Sequence, residues 1–431
     1  MTHYLITAFF IAGAFFAIYK IKMFGARGIS KHWFAGAFTL KLLAALLMFN
    51  IYTQHYTDRS RADIFRYYDD ALVMHRLFPD HKADYFKLLF GIGTESEAAK
   101  NVLQQTNNWD MGKPALFGNN RLIIRANMLI SLFSLKAYGV HAVVFSFLGF
   151  LGLFWIFRFF YRQLPERKWL IFLAVFGFPS IVFWSSGILK ESLLLFFIGL
   201  ILNCGGFALK GRKPLIRFFM VLLGFFLLFQ TRAIAALILI PLSLAYIWNY
   251  LKPQRLRVLP YFIMLFIGLS IASESDSITG INFYDLLVEK RLAFEQVAEE
   301  NDAGSYLISS SFTAEPWSII SSVPGALVNV LFRPLPWEAG NMLMWAAVLE
   351  NILLMLLLVL LVIYPSPKLK NSNLLWFALL FALGNLILVG LTVPVLGAIS
   401  RYRITGLVFL LMAFIQLLDW EKIEKLAVRG K

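Results

Sequence analysis

Charge is what this sequence has least of. Only 15% of its 431 residues are Asp, Glu, Lys or Arg, against roughly 25% in soluble domains, which excludes an ordinary water-soluble fold. A single cysteine, Cys204, sits in an apolar run and excludes an intramolecular disulfide. The six histidines, at 3, 32, 55, 75, 81 and 141, form no HExxH pattern and no Cys/His cluster, so structural zinc is not expected. No P-loop and no glycine-rich dinucleotide fingerprint occurs. No basic region precedes the apolar segment from Tyr4 to Tyr19 and no small-residue cleavage pattern follows it, so it is expected to stay as a span with its N-terminus outside.

Apolar residues make up 59% of the chain and aromatics 16%. They fall into stretches of about 20, the length a bilayer core requires. The expected fold class is an all-α integral membrane protein, a polytopic helical bundle in one membrane domain, residues 1–431. Basic clusters interrupt the apolar stretches: Lys20, Lys22, Arg27 and Lys31; Arg158, Arg162, Arg167 and Lys168; Lys210, Arg212, Lys213 and Arg217; Lys252, Arg255 and Arg257; Lys368 and Lys370; and Lys422, Lys425, Arg429 and Lys431. Placing all six on the cytoplasmic side gives eleven spans, near 4–20, 33–52, 139–160, 169–185, 190–207, 215–230, 233–250, 258–273, 342–364, 373–391 and 403–419, with the C-terminus inside. The net charge of +15 then sets topology instead of binding nucleic acid. The short connections on the basic side leave no fold to hold a nucleotide donor. Residues 122–138 carry Arg125 and Lys136 and would upset this pairing as a twelfth span, so they are expected to lie in the outer interface or enter part-way.

Two outer loops are long. Residues 53–121 hold nine acids and nine bases, and residues 274–341 hold ten acids against three bases, with a helical pattern in "FYDLLVEKRLAFEQVAEE". Polar residues beside the spans gather on this outer side: Asp63, Arg66, Asp69 and Asp70; Lys190 and Glu191 in "WSSGILKES"; Arg232 in "QTR"; Arg333 and Glu338 in "RPLPWE"; and Arg401, Tyr402 and Arg403 in "SRYR". Charge at membrane depth is costly, and where it is retained it lines a cavity or meets a ligand. Gly187 would permit the turn after Ser185 and Ser186. Gly205 and Gly206 read as packing glycines.

In helical spacing Asp63, Arg66, Tyr67 and Asp70 share a face, with Asp69 pointing away. Asp63-x-x-Arg66-Tyr67-x-x-Asp70 resembles the D-x-x-R-Y-x-x-D-G stretch in the first outer loop of bacterial polyprenol-dependent mannosyltransferases, membrane glycosyltransferases of the GT-C fold class. Ala62 and Ala71 depart from that pattern, and an extra span precedes the loop. The resemblance covers about eight residues of the motif and the long first loop, 53–138, with its interfacial helix.

The resemblance implies a GT-C-like enzyme that moves a sugar from a polyprenyl-phosphate donor to a glycan or lipid-linked acceptor at the outer face of the cytoplasmic membrane. It implies an aspartate base at the Asp63 end, with Asp70 the second choice. The chemistry asks for the same groups: a carboxylate to take the acceptor proton, and cations where the phosphate departs. Arg66 would hold an aspartate ionised or steer the acceptor. Arg401 and Arg403, with Tyr402 between them, then Arg232 and Lys190 beside Glu191, are the candidates for the phosphate. No cofactor is required by this chemistry, and a divalent cation at Asp69 and Asp70 stays unassigned. One inverting displacement is expected. An O-antigen-type polymerase or ligase, which also uses outer arginines, and a lipid or glycan transporter are the alternatives.

Overall fold

In lipid a backbone must satisfy its own polar groups, and apolar runs do so as helices. The computed structural model describes all residues except 56–58, 60–61, 94–95, 110–115, 117, 119, 275–281, 301–305, 308–311, 367–371 and 430–431. Among the described residues the regular structure is entirely helical, with only isolated β-bridges. Seven helices are long and apolar enough to cross a membrane, or eight if one bent pair counts as a span. Their large side chains are widely exposed, as along Phe9, Phe16, Leu43, Leu47, Phe218, Phe219 and Leu349. Water would punish such a surface, whereas lipid is its natural solvent. The contacts divide the chain into two compact units.

The first unit comprises residues 1–165, 175–177 and 182–236. It contains α1 (Thr2–Lys20), α2 (Lys31–His55), α3 (Asp63–His75), α4 (Lys82–Phe90), α5 (Glu97–Leu103), α6 (Arg121–Ser131) and α7 (Tyr138–Tyr161). The expected span 169–185 is instead two short helices whose residues are divided between the two units, α8 (Lys168–Phe176) and α9 (Pro179–Trp184), with Pro179 opening the second. α10 (Lys190–Ala208) follows, and α11 (Pro214–Leu251) starts in this unit. The core is the α7–α10 pair. A Cβ on Gly199 would stand 2.3 Å from the Gly152 carbonyl oxygen, and one on Gly152 would stand 2.4 Å from that of Leu195. Backbone therefore meets backbone here, the close approach that small residues permit. The packing role expected of Gly205 and Gly206 falls to Gly152 and Gly199, since Gly205 and Gly206 would make only ordinary contacts. A Cβ cannot be inferred to be in the way from sequence alone, because both pairs lie in equally apolar runs.

The 38 residues of α11 would span about 57 Å if straight, twice a bilayer core. The backbone leaves helical geometry at Arg232, φ −156° and ψ 90°, where the sequence places a turn between two spans. α6 has 11 residues, about 16 Å of helix and too short to cross. It packs on α3, α4 and α7, folding the first loop onto the helical body.

The second unit takes residues 166–174, 178–181 and 237–431. It holds α12 (Leu259–Ser273), α13 (Phe283–Glu300), α14 (Pro316–Phe332), α15 (Met342–Ile363), α16 (Asn373–Thr392), the bent pair α17 (Leu396–Tyr402) and α18 (Ile404–Leu417), and α19 (Trp420–Arg429). α13 is the helix expected in the late loop. α14 was not anticipated there: an apolar helix packs along α16, where a Cβ on Gly390 would lie 2.2 Å from the Ala326 carbonyl oxygen. Its prolines, Pro316 and Pro324, and three serines disguise it as loop. Lys368, Lys370 and Lys431 lie outside the described residues.

Candidate functional site

α3 begins at Asp63, and its face is set by the helical spacing. The Arg66 guanidinium pairs with Asp63 at 2.6 Å and donates to the Tyr67 hydroxyl at 2.8 Å. Tyr67 is buried, and its ring receives a second cation, the Lys190 ammonium, 5.6 Å from the centroid. Lys190 and Glu191 open α10, and Glu191, fully buried, pairs with Arg232 at 3.3 Å. Three polar segments separated in sequence, the α3 motif, the α10 start and the α11 break, are thus joined in one cluster. Asp63, Arg66 and Arg232 keep 18%, 29% and 25% of their side-chain surface exposed, so the cluster is not sealed within the helices.

The loop leading into α10 is wound tightly behind it. Gly187 adopts φ +71° as the turn demands, its amide donating to Ser146 Oγ at 3.0 Å. Ser192 Oγ donates to the carbonyls of Ser185 and Gly187, at 2.9 and 3.2 Å. Lys41, buried within α2, donates from Nζ to both the carbonyl and the hydroxyl of Ser185, each at 2.6 Å. This lysine was missed in the sequence. A lone cation inside "FTLKLLAALL" is its signal in the sequence, distinct from the charge at span ends.

Asp70 faces elsewhere. It is 2% exposed, and its two oxygens accept the amides of Asn107 and Asn108 at 3.0 and 2.9 Å. Burial raises its pKa and those amides pull it back. Its carboxylate fastens a loop, which is the physical reason to withdraw it as an alternative base. Asp69 points away as expected, in a bidentate pair with Arg59 at 2.7 and 3.0 Å. With Leu72, Val73, Arg76 and Lys136 it lines an open cleft of about 360 Å³. No group of three metal-binding side chains occurs among the described residues. His75 meets the Tyr85 hydroxyl at 3.3 Å.

In the second unit the arginines of "SRYR" are less open than the sequence implies. Arg403 is 1% exposed and pairs with Glu350 at 3.3 Å, donating also to the Val330 carbonyl at 3.1 Å. Glu350 lies inside apolar α15 and takes the Ser180 hydroxyl at 2.6 Å and its amide at 2.9 Å. This arrangement braces helices, so Arg403 is corrected from a phosphate ligand to a structural group. Arg401 is also buried, its guanidinium 5.4 Å from the Tyr402 ring, and Tyr402 packs on Phe294 of α13. Arg333 and Glu338 pair with each other, and Asn351, next to Glu350, donates to the Pro334 carbonyl at 3.0 Å. "RPLPWE" is therefore a folded corner held by α15.

Within the first unit the two ends of α10 differ in charge. Trp155 Nε1 donates to the Met23 sulfur at 3.3 Å, bringing the basic loop 20–31 beside the end of α7. Arg158 of α7, Arg162 just after it, Arg212 before α11 and Arg217 in its first turn surround Phe207 near the end of α10. The Asp63 cluster stands at the other end of that 19-residue helix, about 28 Å away along its axis. Three basic segments thus share one end of this unit, as the charge pattern requires. Comparison with protein-family models, curated proteins and solved structures finds no match.

Proposed function

We propose that the chain is a GT-C-like membrane glycosyltransferase that moves a sugar from a polyprenyl-phosphate donor to a glycan or lipid-linked acceptor. It works at the outer face of the cytoplasmic membrane, with the basic end of the first unit inside. Eleven spans follow if α8–α9 and α17–α18 each count as one broken span, α11 as two, and α12 as a short one. The observation that carries the reading is the cluster of Asp63, Arg66, Tyr67 and Lys190, which joins the first-loop motif to the start of α10.

Asp63 serves as the base that takes the acceptor hydroxyl proton, with Arg66 holding it ionised and fixing its rotamer. Lys190 and Arg232 meet the charge that develops on the departing phosphate, and Glu191 sets the position of Arg232. Attack from one side with one base inverts the anomeric centre. The test is transfer from labelled polyprenyl-phosphate sugars by the purified protein in lipid. Asp63→Asn should slow it by roughly 10²–10⁴-fold. Unchanged transfer by that variant rejects the base, and no transfer by the parent from any such donor rejects the function. An O-antigen-type polymerase or ligase would instead lose activity chiefly through Arg401.

A further inference from the structure

Four guanidinium groups surround one aromatic ring at the basic end of the first unit. The Cζ atoms of Arg162, Arg217, Arg158 and Arg212 lie 3.8, 4.2, 5.2 and 6.0 Å from the Phe207 centroid. Cation–π attraction orients each of them but does not cancel the repulsion among four like charges. Among the described residues no carboxylate pairs with any of the four, and the buried Nη1 of Arg217 has no hydrogen-bond partner. Burial, then the charges of Arg158, Arg212 and Arg217, bring the Arg162 pKa down to about 10. The cluster is short of an anion.

The adjoining surface indicates which kind. Leu215, Ile216, Phe218 and Phe219 of α11 flank Arg217 in sequence and are 54–68% exposed. A phosphate on the arginines would have apolar chains alongside it. We propose that the arginine ring around Phe207 binds the phosphate headgroup of an anionic lipid, whose acyl chains lie along the start of α11. Arginine suits a phosphate because its planar donors engage two oxygens at once. The ring belongs to the end of α10 opposite the Asp63 cluster, so this site is independent of the proposed sugar transfer.

The test uses the full chain in nanodiscs of phosphatidylcholine, alone or mixed with phosphatidylglycerol, with retained lipid read by native mass spectrometry. The parent should retain phosphatidylglycerol preferentially. Changing both Arg162→Gln and Arg217→Gln should weaken that preference on the order of tenfold. The pair Lys252→Gln and Arg255→Gln, in a basic loop of the second unit, should leave it unchanged. Loss of equal size in the Lys252/Arg255 pair would reduce the effect to general surface charge and overturn the site. Inorganic phosphate that displaces the lipid completely at equal concentration would reassign the ring to a free anion. Absence of any preference in the parent would also overturn the proposal, whether or not the arginine variants fold.

Discussion

Glu191 with Arg232 and Glu350 with Arg403 join the same two groups at the same distance, 3.3 Å, in two different units. Both carboxylates are buried. The difference lies in the arginine: Arg232 keeps a quarter of its side chain exposed, whereas Arg403 keeps 1%. Glu350 is also occupied by Ser180 through both oxygens, while Arg232 stands where a helix has been broken. A sealed pair with every oxygen engaged holds helices together, whereas the Arg232 pair, one residue along from Lys190, keeps part of its guanidinium exposed. Equal distances therefore do not mean equal roles.

The comparison is most easily broken at Glu350. Replacing it with Ala strands the Arg403 guanidinium, and thermal unfolding in detergent should show a loss of about 3–5 kcal/mol. The double change Glu350→Met with Arg403→Met should recover most of it, since apolar groups of similar size replace buried pairs well. Asp63→Asn should do the reverse, leaving the melting temperature nearly unchanged while transfer falls by about 10² or more. If Asp63→Asn instead unfolds the protein, the two regions are alike and the open cluster is structural too.

Asp70 sharpens the contrast between carboxylates on one helix. Asp70→Asn should cost about 1–3 kcal/mol through the loosened Asn107–Asn108 amides. Because burial raises its pKa, the folded state holds the Asp70 proton more tightly than the unfolded chain. That contribution to stability grows as pH falls through its titration and vanishes at higher pH. Melting temperature against pH for the parent and Asp70→Asn checks the sign. The smallest effect belongs to the exposed Arg59–Asp69 pair, where Asp69→Asn should change stability by less than about 1 kcal/mol.

Much of this arrangement is legible in the sequence because it rests on local rules. Apolar length predicts α1, α2, α7, α10, α15 and α16 within a few residues. The break at Arg232 and the turn at Gly187 are announced by charge and glycine between apolar runs. Helical spacing puts Asp63, Arg66 and Tyr67 on one face, and the observed contacts agree. What it does not say is which segment returns to that face, so Asp70 reads like Asp63 until the 107–108 loop arrives. The same limit hid Glu350 within "AAVLENILL": its partners, Ser180 and Arg403, come 170 and 53 residues away. Close packing at Gly152 instead of Gly205 depends on which backbone lies opposite, and that is not written in either apolar run.

Lys41 carries a consequence for biogenesis. Its acceptor, Ser185, is 144 residues further along the chain, so α2 emerges from the ribosome long before its ammonium has a carbonyl to meet. Inserting that helix alone costs roughly 2.5–3.5 kcal/mol at the bilayer centre. Leu42, Leu43, Leu46 and Leu47 supply the hydrophobic drive to overcome it, and the helix settles only once the segment around α9 has been synthesised.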